Sequence, residues 1–371
     1  MKLMIVVGKA ASSDGLSPGK SMKHSFIPWP EEAAVSFSLL TQRLKMYGSV
    51  GALSFSSTFL SLLLLAAFCR SDDRTVGGEE PEEKLPYKQY FSEQKYQIPF
   101  KTRISEPLKN GQTVHAVGKI KMYPKRVVVN FHQGGSDYDD MPLHLSTRWD
   151  EGLFSGNVVF NTYSRRNWSE PEERVSSPFP ADGEFDIRIR LLPGKFQVFG
   201  NRVEIGTFKQ RAPLTGVNHI SIVGDLENLR LFHYGGTSFP NPYNAIAKLV
   251  PYKRLDVSAL PTGNRVNVNL YKRNNKDIAL HVSIRYSEGA IVRNAMNAFS
   301  WGEEERDGGF PLAKGEIFDL TIVHEPAHFL VILNGKKFCT FKHRLPNYMD
   351  IETLGVDGTV ELHTVTINEA R

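Results

Sequence analysis

The chain has 371 residues, 41% of them hydrophobic, and this length is enough for two domains that each bury a core of their own. Its formal net charge is only +5, and the Lys and Arg residues are scattered singly, which argues against nucleic acid as a partner. The two cysteines, Cys69 and Cys339, exclude a disulfide framework and a thiolate metal site. We expect no cofactor and no metal.

Residues 1–85 form an N-terminal region whose composition differs from the rest of the chain. Residues 46–69 contain no charged residue, and residues 59–68 are almost entirely apolar. A bilayer span needs about 20 such residues. Three interpretations stay open: a signal peptide cut near Ala67 or Cys69, an uncleaved membrane anchor, and a disordered segment that continues into the acidic linker 71–85. We expect membrane association through residues 46–69.

Short runs of alternating hydrophobic and polar residues begin after this linker. They include residues 114–122, 126–131, 184–192 and 195–199, and no amphipathic helical pattern interrupts them. This alternation has the period of a β-strand with one buried face. The sequence therefore predicts an all-β fold.

The chain then repeats itself at an offset of 133 positions, without a gap. The matching pairs are Asn161 and Asn294, Trp168 and Trp301, Pro178 and Pro311, Phe185-Asp186 and Phe318-Asp319, Asn201 and Asn334, Phe208 and Phe341, and Arg211 and Arg344. An offset of this length indicates two complete domains in series, because solenoid repeats are only about 20–50 residues long. We assign residues 86–235 to the first domain and 249–371 to the second, and predict that both are antiparallel β-sandwiches.

Residues 236–248 are assigned to the linker between these two domains. The stretch 235–242 reads Gly-Gly-Thr-Ser-Phe-Pro-Asn-Pro, which is rich in residues that end strands and resist regular structure. This composition predicts a short hinge.

Polar residues that alternate along one strand form the first functional motif. The first domain carries His144, Ser146 and Arg148, and the second carries His281, Ser283 and Arg285. In a strand, such alternating side chains point to the same face of the sheet. A single polar face usually means only that the face is in contact with water. Its recurrence in both domains favours a binding site instead.

An Asn and a Trp follow each of these motifs at the same spacing. Asn161 and Asn294 are each followed seven residues later by a tryptophan, Trp168 or Trp301. A pyranose ring has one apolar face that stacks on a rigid indole, and hydroxyls that need donors and acceptors in fixed positions. Arg, His and carboxamide side chains supply these. The combination predicts a sugar-binding site in each domain.

The motifs His-x-Ser-x-Arg, Val-x-Asn and Trp-Gly-x-Glu-x-Arg resemble the binding signature of galectins, in its usual order, and the resemblance covers most of the chain after residue 86. It implies two jelly-roll, concanavalin-like sandwiches that bind β-galactoside glycans of glycoproteins or glycolipids, without catalysis. It also implies that His281 and Arg285 hold the axial hydroxyl of galactose, Asn294 its hydroxymethyl oxygen and Trp301 its apolar face, and that Glu304 and Arg306 meet the neighbouring sugar. With a hinge between them, two such sites would engage one glycan-covered surface.

Two departures from the galectin pattern bear on affinity. Galectins usually have Asn where Ser146 and Ser283 stand, so we expect weak binding of simple galactosides, which Asn at these positions would strengthen. In the first domain, the strict offset places Pro171 and Glu173 opposite Glu304 and Arg306. Glu172 and Arg174 take these roles only through a one-residue bulge, so we expect the second site to bind more tightly.

Three other functions compete with that of a lectin. A glycoside hydrolase needs two facing carboxylates, and although Glu184 and Asp186 share a strand face, the second domain has Ile317 opposite Glu184. A zinc-protease motif is imitated around His324, but Pro326 would break the required helix. A structural or protein-binding sandwich with decayed sugar sites stays open.

The cellular compartment also stays open. A glycosylation sequon begins at Asn167 and includes the stacking Trp168, so a glycan attached there would block the site. Galectins are made in the cytosol and exported without a signal, which fits this sequon and the two free cysteines. The apolar stretch 46–69 favours secretion or anchoring instead.

Overall fold

The computed structural model describes residues 85–151, 156–273 and 276–371. The predicted membrane segment 46–69 lies outside the described residues. Within the described ranges, no helix has the length and apolar content that a bilayer crossing requires. These ranges fold into β-strands, which confirms the predicted all-β class.

The first domain contains twelve strands in the described part of the chain. They are β1 (Phe100–Arg103), β2 (Thr113–Ile120), β3 (Arg126–His132), β4 (Met141–Arg148), β5 (Asn157–Ser164), β6 (Asn167–Trp168), β7 (Glu173–Ser176), β8 (Glu184–Leu192), β9 (Lys195–Gly200), β10 (Val203–Lys209), β11 (His219–Gly224) and β12 (Leu226–Gly235). One sheet has the order β1-β11-β3-β4-β5-β6, with β7 paired to β5, and the other has the order β10-β9-β8-β2-β12.

The second domain repeats this arrangement with fewer strands in its described part, because two of them are 20 and 19 residues long. Its strands are β13 (Tyr243–Ile246), β14 (Lys253–Lys272), β15 (Ile278–Arg285), β16 (Ala290–Asn297), β17 (Ser300–Trp301), β18 (Phe318–His324), β19 (His328–Leu333), β20 (Lys336–Lys342) and β21 (Ile351–Glu369). Strands β14 and β21 each run through both layers of the sandwich, so the sheet is continuous. The first half of β14 pairs with β18 and its second half pairs with β15.

Side-chain alternation explains why these segments are strands. On β4, Leu143 and Leu145 are fully buried and belong to the core between the sheets, whereas His144 and Arg148 are partly exposed on the other face. On β8, Ile187 and Ile189 enter the same core from the opposite sheet. Each domain therefore has its own core, with its sugar-type motif on the outer face of one sheet.

The linker differs from the hinge predicted from its composition. Strand β13 lies inside the predicted linker 236–248 and pairs with β21 of the second domain. Asn241 donates from Nδ2 to the carbonyls of Gly358 and Val360, at 2.8 and 3.2 Å, and Phe239 packs against the core of the second domain. These contacts hold the connection in place, so irregular backbone here does not act as a free joint.

Candidate carbohydrate-binding sites

Strand pairing brings the predicted site residues together in two clefts. His144 on β4 lies directly opposite Asn161 on β5, and His281 on β15 lies directly opposite Asn294 on β16. The first cleft has a volume of about 410 Å³ and the second about 390 Å³. The first is lined by His144, Arg148, Asn161, Trp168, Glu170 and Glu172, and the second by Arg265, Asn267, His281, Arg285, Asn294, Trp301, Gly302 and Glu304.

Each cleft has a tryptophan at one side. Trp168 lies on the two-residue strand β6 and Trp301 on its counterpart β17, with 46% and 50% of their surfaces exposed. The imidazole centroids of His144 and His281 lie 4.7 and 4.9 Å from the neighbouring indoles. This contact orients each ring, and the exposed part of each indole can stack on an apolar ligand surface.

Arginine and glutamate side chains form the polar end of the second cleft. Arg285 donates to Glu288 and Glu304, at 3.2 and 2.8 Å, and Arg306 donates to the same two carboxylates, at 3.0 and 2.8 Å. Hydrogen bonds from Arg285 and Arg306 lower the pKa of Glu304, so this carboxylate stays charged. The four groups hold one another in fixed orientations and present donors and acceptors along the cleft.

The first cleft contains the same cluster despite its shifted loop. Arg148 donates to Glu151 at 3.0 Å, and Arg174 donates to Glu151 and Glu172 at 2.7 and 2.8 Å. Glu173 pairs with Phe160 in the same register that aligns Glu305 with Arg293 in the second domain. The first domain therefore has its one extra residue between Trp168 and Glu172, as the one-residue bulge requires. Glu172 and Arg174 thus occupy the positions of Glu304 and Arg306, and the shifted loop does not distinguish the two sites.

The histidines are neutral in this environment. Burial, followed by repulsion from Arg148 and Arg285 respectively, lowers the pKa of His144 and of His281 to about 4. Asn269 donates from Nδ2 to the Asp357 carboxylate at 3.2 Å, so its Oδ1 accepts from Nδ1 of His281 at 2.6 Å. We infer from this network that Nε2 of His281 is left as a hydrogen-bond acceptor for a ligand.

Asn294 is oriented by three hydrogen bonds within the protein. Its Oδ1 accepts from the backbone N–H of Ala295 at 2.8 Å and from Arg344 at 3.1 Å. Its Nδ2 donates one hydrogen to the carbonyl of Gly302 at 2.8 Å. A carboxamide has two N–H groups, so one donor is left for a ligand.

The two serines lie beneath the clefts rather than along them. Ser146 and Ser283 are fully buried. Ser283 accepts a hydrogen bond from Nε of Arg285 at 3.2 Å and donates to Oδ1 of Asn267 at 2.8 Å. In the first domain, Val128 occupies the position equivalent to Asn267, opposite Ser146. These serines therefore position the arginines.

Several supporting residues were not predicted from the sequence. Glu151 and Glu288 each follow the motif histidine by seven residues, so their shared spacing could have indicated them. Asn130 and Asn269 reach the histidines only through pairing of neighbouring strands. Asp357 lies far along the chain, on β21, and nothing in the repeat indicated it.

The structure separates two rejected motifs from the clefts. Asp186 is fully buried on the opposite sheet, where it accepts hydrogen bonds from Arg188 at 3.1 and 2.9 Å, so it does not face Glu184 across a cleft. His324 and His328 lie at the two ends of a hairpin between β18 and β19, not on a helix. Among the described residues, no group of His, Cys, Asp or Glu is arranged to hold a metal ion.

Comparison with known proteins decides the family. The sequence pattern of galactoside-binding lectins matches residues 99–233 and 242–367, which together make up most of the chain. The chain belongs to the galactoside-binding lectin family. It is 39% identical over 280 residues to a 32 kDa beta-galactoside-binding lectin of Haemonchus contortus, covering 73% of this chain and 95% of that protein.

Two further relatives of this lectin have the same extent. A 32 kDa beta-galactoside-binding lectin of Caenorhabditis elegans is 36% identical over 278 residues, covering 73% of this chain and 97% of that protein. Galectin-4 of Sus scrofa is 30% identical over 310 residues, covering 73% and 95%. The galectin resemblance and the tandem duplication predicted from the sequence are confirmed, and the protein is a lectin rather than an enzyme.

Proposed function

We propose that this lectin binds β-galactoside glycans of glycoproteins or glycolipids at both clefts. The observation that supports this most strongly is the duplication of one cleft, in which a half-exposed Trp faces a neutral His, a clamped Arg and an oriented Asn. If these residues only kept the sheet surface in contact with water, the same hydrogen-bonding geometry would not be needed in both domains.

The polar groups suit an axial hydroxyl beside an apolar sugar face. In the second cleft, Arg285 donates, Nε2 of His281 accepts, and Nδ2 of Asn294 has one donor left over. A hydroxyl that both donates and accepts would satisfy the first two groups together. The epimer with an equatorial hydroxyl would leave these groups unpaired, at a cost of about 1–3 kcal/mol.

Lactose and cellobiose test this specificity, because they differ only in the configuration of one hydroxyl. We expect the protein to be retained on an immobilised galactoside and eluted by lactose but not by cellobiose. The Trp168→Ala, Trp301→Ala double variant loses both stacking faces and should not be retained. Equal elution by the two sugars, or retention of the folded double variant, would contradict the proposal.

Two clefts in one chain support a second proposal, that the lectin cross-links glycoconjugates. Either single variant, Trp168→Ala or Trp301→Ala, keeps one intact cleft. That cleft should bind soluble lactose as tightly as it does in the native protein. Each should fail to agglutinate galactoside-coated beads, because one site cannot bridge two beads. Agglutination by both single variants would exclude this role.

We also propose membrane association through residues 46–69, on the basis of their apolar composition. The full chain should sediment with the membrane fraction and remain there after a high-salt wash, while the fragment 86–371 should not. An untrimmed full chain that stays entirely in the supernatant would rule the anchor out.

A further inference from the structure

In the first domain, one of the two sheets carries no sugar cleft, and the outer face of that sheet is buried. Along β8, Asp186 and Arg188 point away from the core that contains Ile187. Val117 and Leu231 pair in register beside Asp186, and both are buried although neither belongs to the core of this domain. We call this surface the first back face.

A matching surface of the second domain covers it. Ser258, Asp319 and Thr364 lie directly opposite one another on β14, β18 and β21, on the side away from the second core. We call this surface the second back face. Arg188 crosses from the first back face and donates to Ser258 at 2.8 Å and to both carboxylate oxygens of Asp319, at 2.9 and 2.7 Å.

Two equivalent residues of the duplicated domains meet at the centre of this interface. Asp186 and Asp319 are equivalent residues of the two domains, and a single buried guanidinium, that of Arg188, joins them. Burial alone raises the pKa of each carboxyl, but attraction by Arg188 outweighs it and holds both pKa values below their usual range. The three groups are therefore charged, and Arg188 is the partner that the two carboxylates share.

Backbone and apolar contacts extend the interface to its edge. The N–H of Ile317 donates to the carbonyl of Arg202 at 2.9 Å, and Val203 pairs with Glu316 as in an antiparallel ladder. Phe199 of the first domain packs with Ile317 and with Leu260 of the second. A main-chain bond and an apolar cluster fix the orientation of the two domains more firmly than surface ion pairs would.

Residues 85–93, which precede β1 of the first domain, add a strap across the second. Arg254 donates to the carbonyls of Lys88 and Gln89, at 2.8 and 3.2 Å. Tyr90 donates to Asp319 at 3.1 Å, and the next residues pair with β12 of the first domain through Gln94 and Tyr96. The strap, the packed linker and the interface together join the domains into one compact unit.

The order of layers follows from these contacts. Each sugar cleft lies on the outer face of the sheet opposite its back face, and the two back faces meet in the middle. We propose that the two domains form a rigid back-to-back unit whose clefts face opposite sides, so that it bridges two separate glycan-bearing surfaces and does not bind twice to one. The bridging part rests on the proposed sugar-binding function, whereas the rigid arrangement does not.

A disulfide across the interface tests the arrangement without any sugar. In a Cys69→Ser background, Val203→Cys with Glu316→Cys should oxidise to an intramolecular disulfide, because these two residues face each other across the domains. Each single cysteine variant is the matched control. The cross-linked protein should keep the lactose affinity and the bead agglutination of its reduced form within about twofold. Failure to cross-link, or a change in agglutination on cross-linking, would overturn the rigid arrangement.

A planar surface tests the bridging. Dissociation is measured from layers of immobilised galactoside of increasing density. At every density, the full chain should dissociate as fast as the slower of the two single variants, Trp301→Ala and Trp168→Ala. The bound full chain should capture galactoside-coated beads, and neither variant should. Dissociation slowed by the roughly 10²–10⁴-fold of two-site binding would overturn the proposal. If no form binds galactoside at all, the sugar-binding function fails, while the disulfide result still decides the arrangement.

Discussion

At the scale of single residues, the clefts depend on buried side chains as much as on exposed ones. Ser283 holds the Nε of Arg285 from below, and Asn267 in turn holds Ser283. Removing the serine hydroxyl leaves Arg285 with a free donor and more rotamer freedom, so part of its alignment must then be gained on binding.

Ser283→Ala should therefore weaken lactose binding at the second site by about 0.5–1.5 kcal/mol, or two- to tenfold. Ser283→Asn is the matched control, because its carboxamide keeps an acceptor for Arg285 and adds donors, so it should bind at least as well as the native protein. Both are measured by titration in the Trp168→Ala background, which isolates the second site. Unchanged affinity in Ser283→Ala would remove the positioning role.

The low pKa of the site histidines makes a prediction about pH. With both pKa values at about 4, His144 and His281 stay neutral from pH 8 to 5, so lactose affinity should be constant over that range and fall as pH approaches 4. In the unfolded chain a histidine titrates near pH 6.5 and takes up protons first. The free energy of unfolding should accordingly decrease as pH falls from 6.5 to 4. Affinity that drops in step with a pKa near 6.5 would contradict this assignment.

The residues that face the clefts could be predicted because their spacing is local. His, Ser and Arg alternate on one strand, and the Asn and Trp follow at a distance that both domains share. Asn269 and Asp357, which determine how His281 presents its ring, come from strands β14 and β21. Only the pairing of those strands brings them to the site, and a pattern of residue types along the chain does not contain that pairing.

At the scale of elements, the strands were predictable and their contacts between domains were not. Alternation indicates which face of a strand is buried, but it does not distinguish a face buried in a core from one buried against another domain. Asp186 shares a strand face with Glu184, which makes it a candidate catalytic carboxylate from the sequence, yet the second domain covers this face at Asp186. The linker composition likewise indicated irregular backbone without indicating what packs on it.

Replacement of the central arginine tests the interface. Arg188→Ala leaves Asp186 and Asp319 buried without their shared partner, and breaking such a buried ion cluster costs about 3–5 kcal/mol. We expect a loss of that size in urea unfolding of the full chain. Arg273→Ala removes an arginine that is 73% exposed, and as the matched control should change stability by less than about 1 kcal/mol. Similar losses in the two variants would mean that Arg188 does not hold the domains together.

At the scale of the whole molecule, duplication has produced two different surfaces from one fold. Both clefts kept the same His, Arg, Asn, Trp and Glu in their linings, whereas the back faces became complementary, since Arg188 in the first domain is matched by Thr321 in the second. The paired aspartates share one guanidinium where the two back faces meet. The two clefts therefore face away from each other. A bridge between two surfaces follows from this geometry if both clefts bind sugar.

Whether both clefts bind sugar is tested most directly by the indole N–H resonances of the isotope-labelled full chain during a lactose titration, assigned with single Trp→Phe variants. The signals of Trp168 and Trp301 should shift with lactose and stay in place with cellobiose. Trp149 is the internal control, because it lines neither cleft and its indole N–H donates to the carbonyl of Phe179 at 2.9 Å, so its signal should not move. Shifts of Trp168 and Trp301 that are no larger than that of Trp149, at lactose concentrations up to saturation of the solution, would contradict the account.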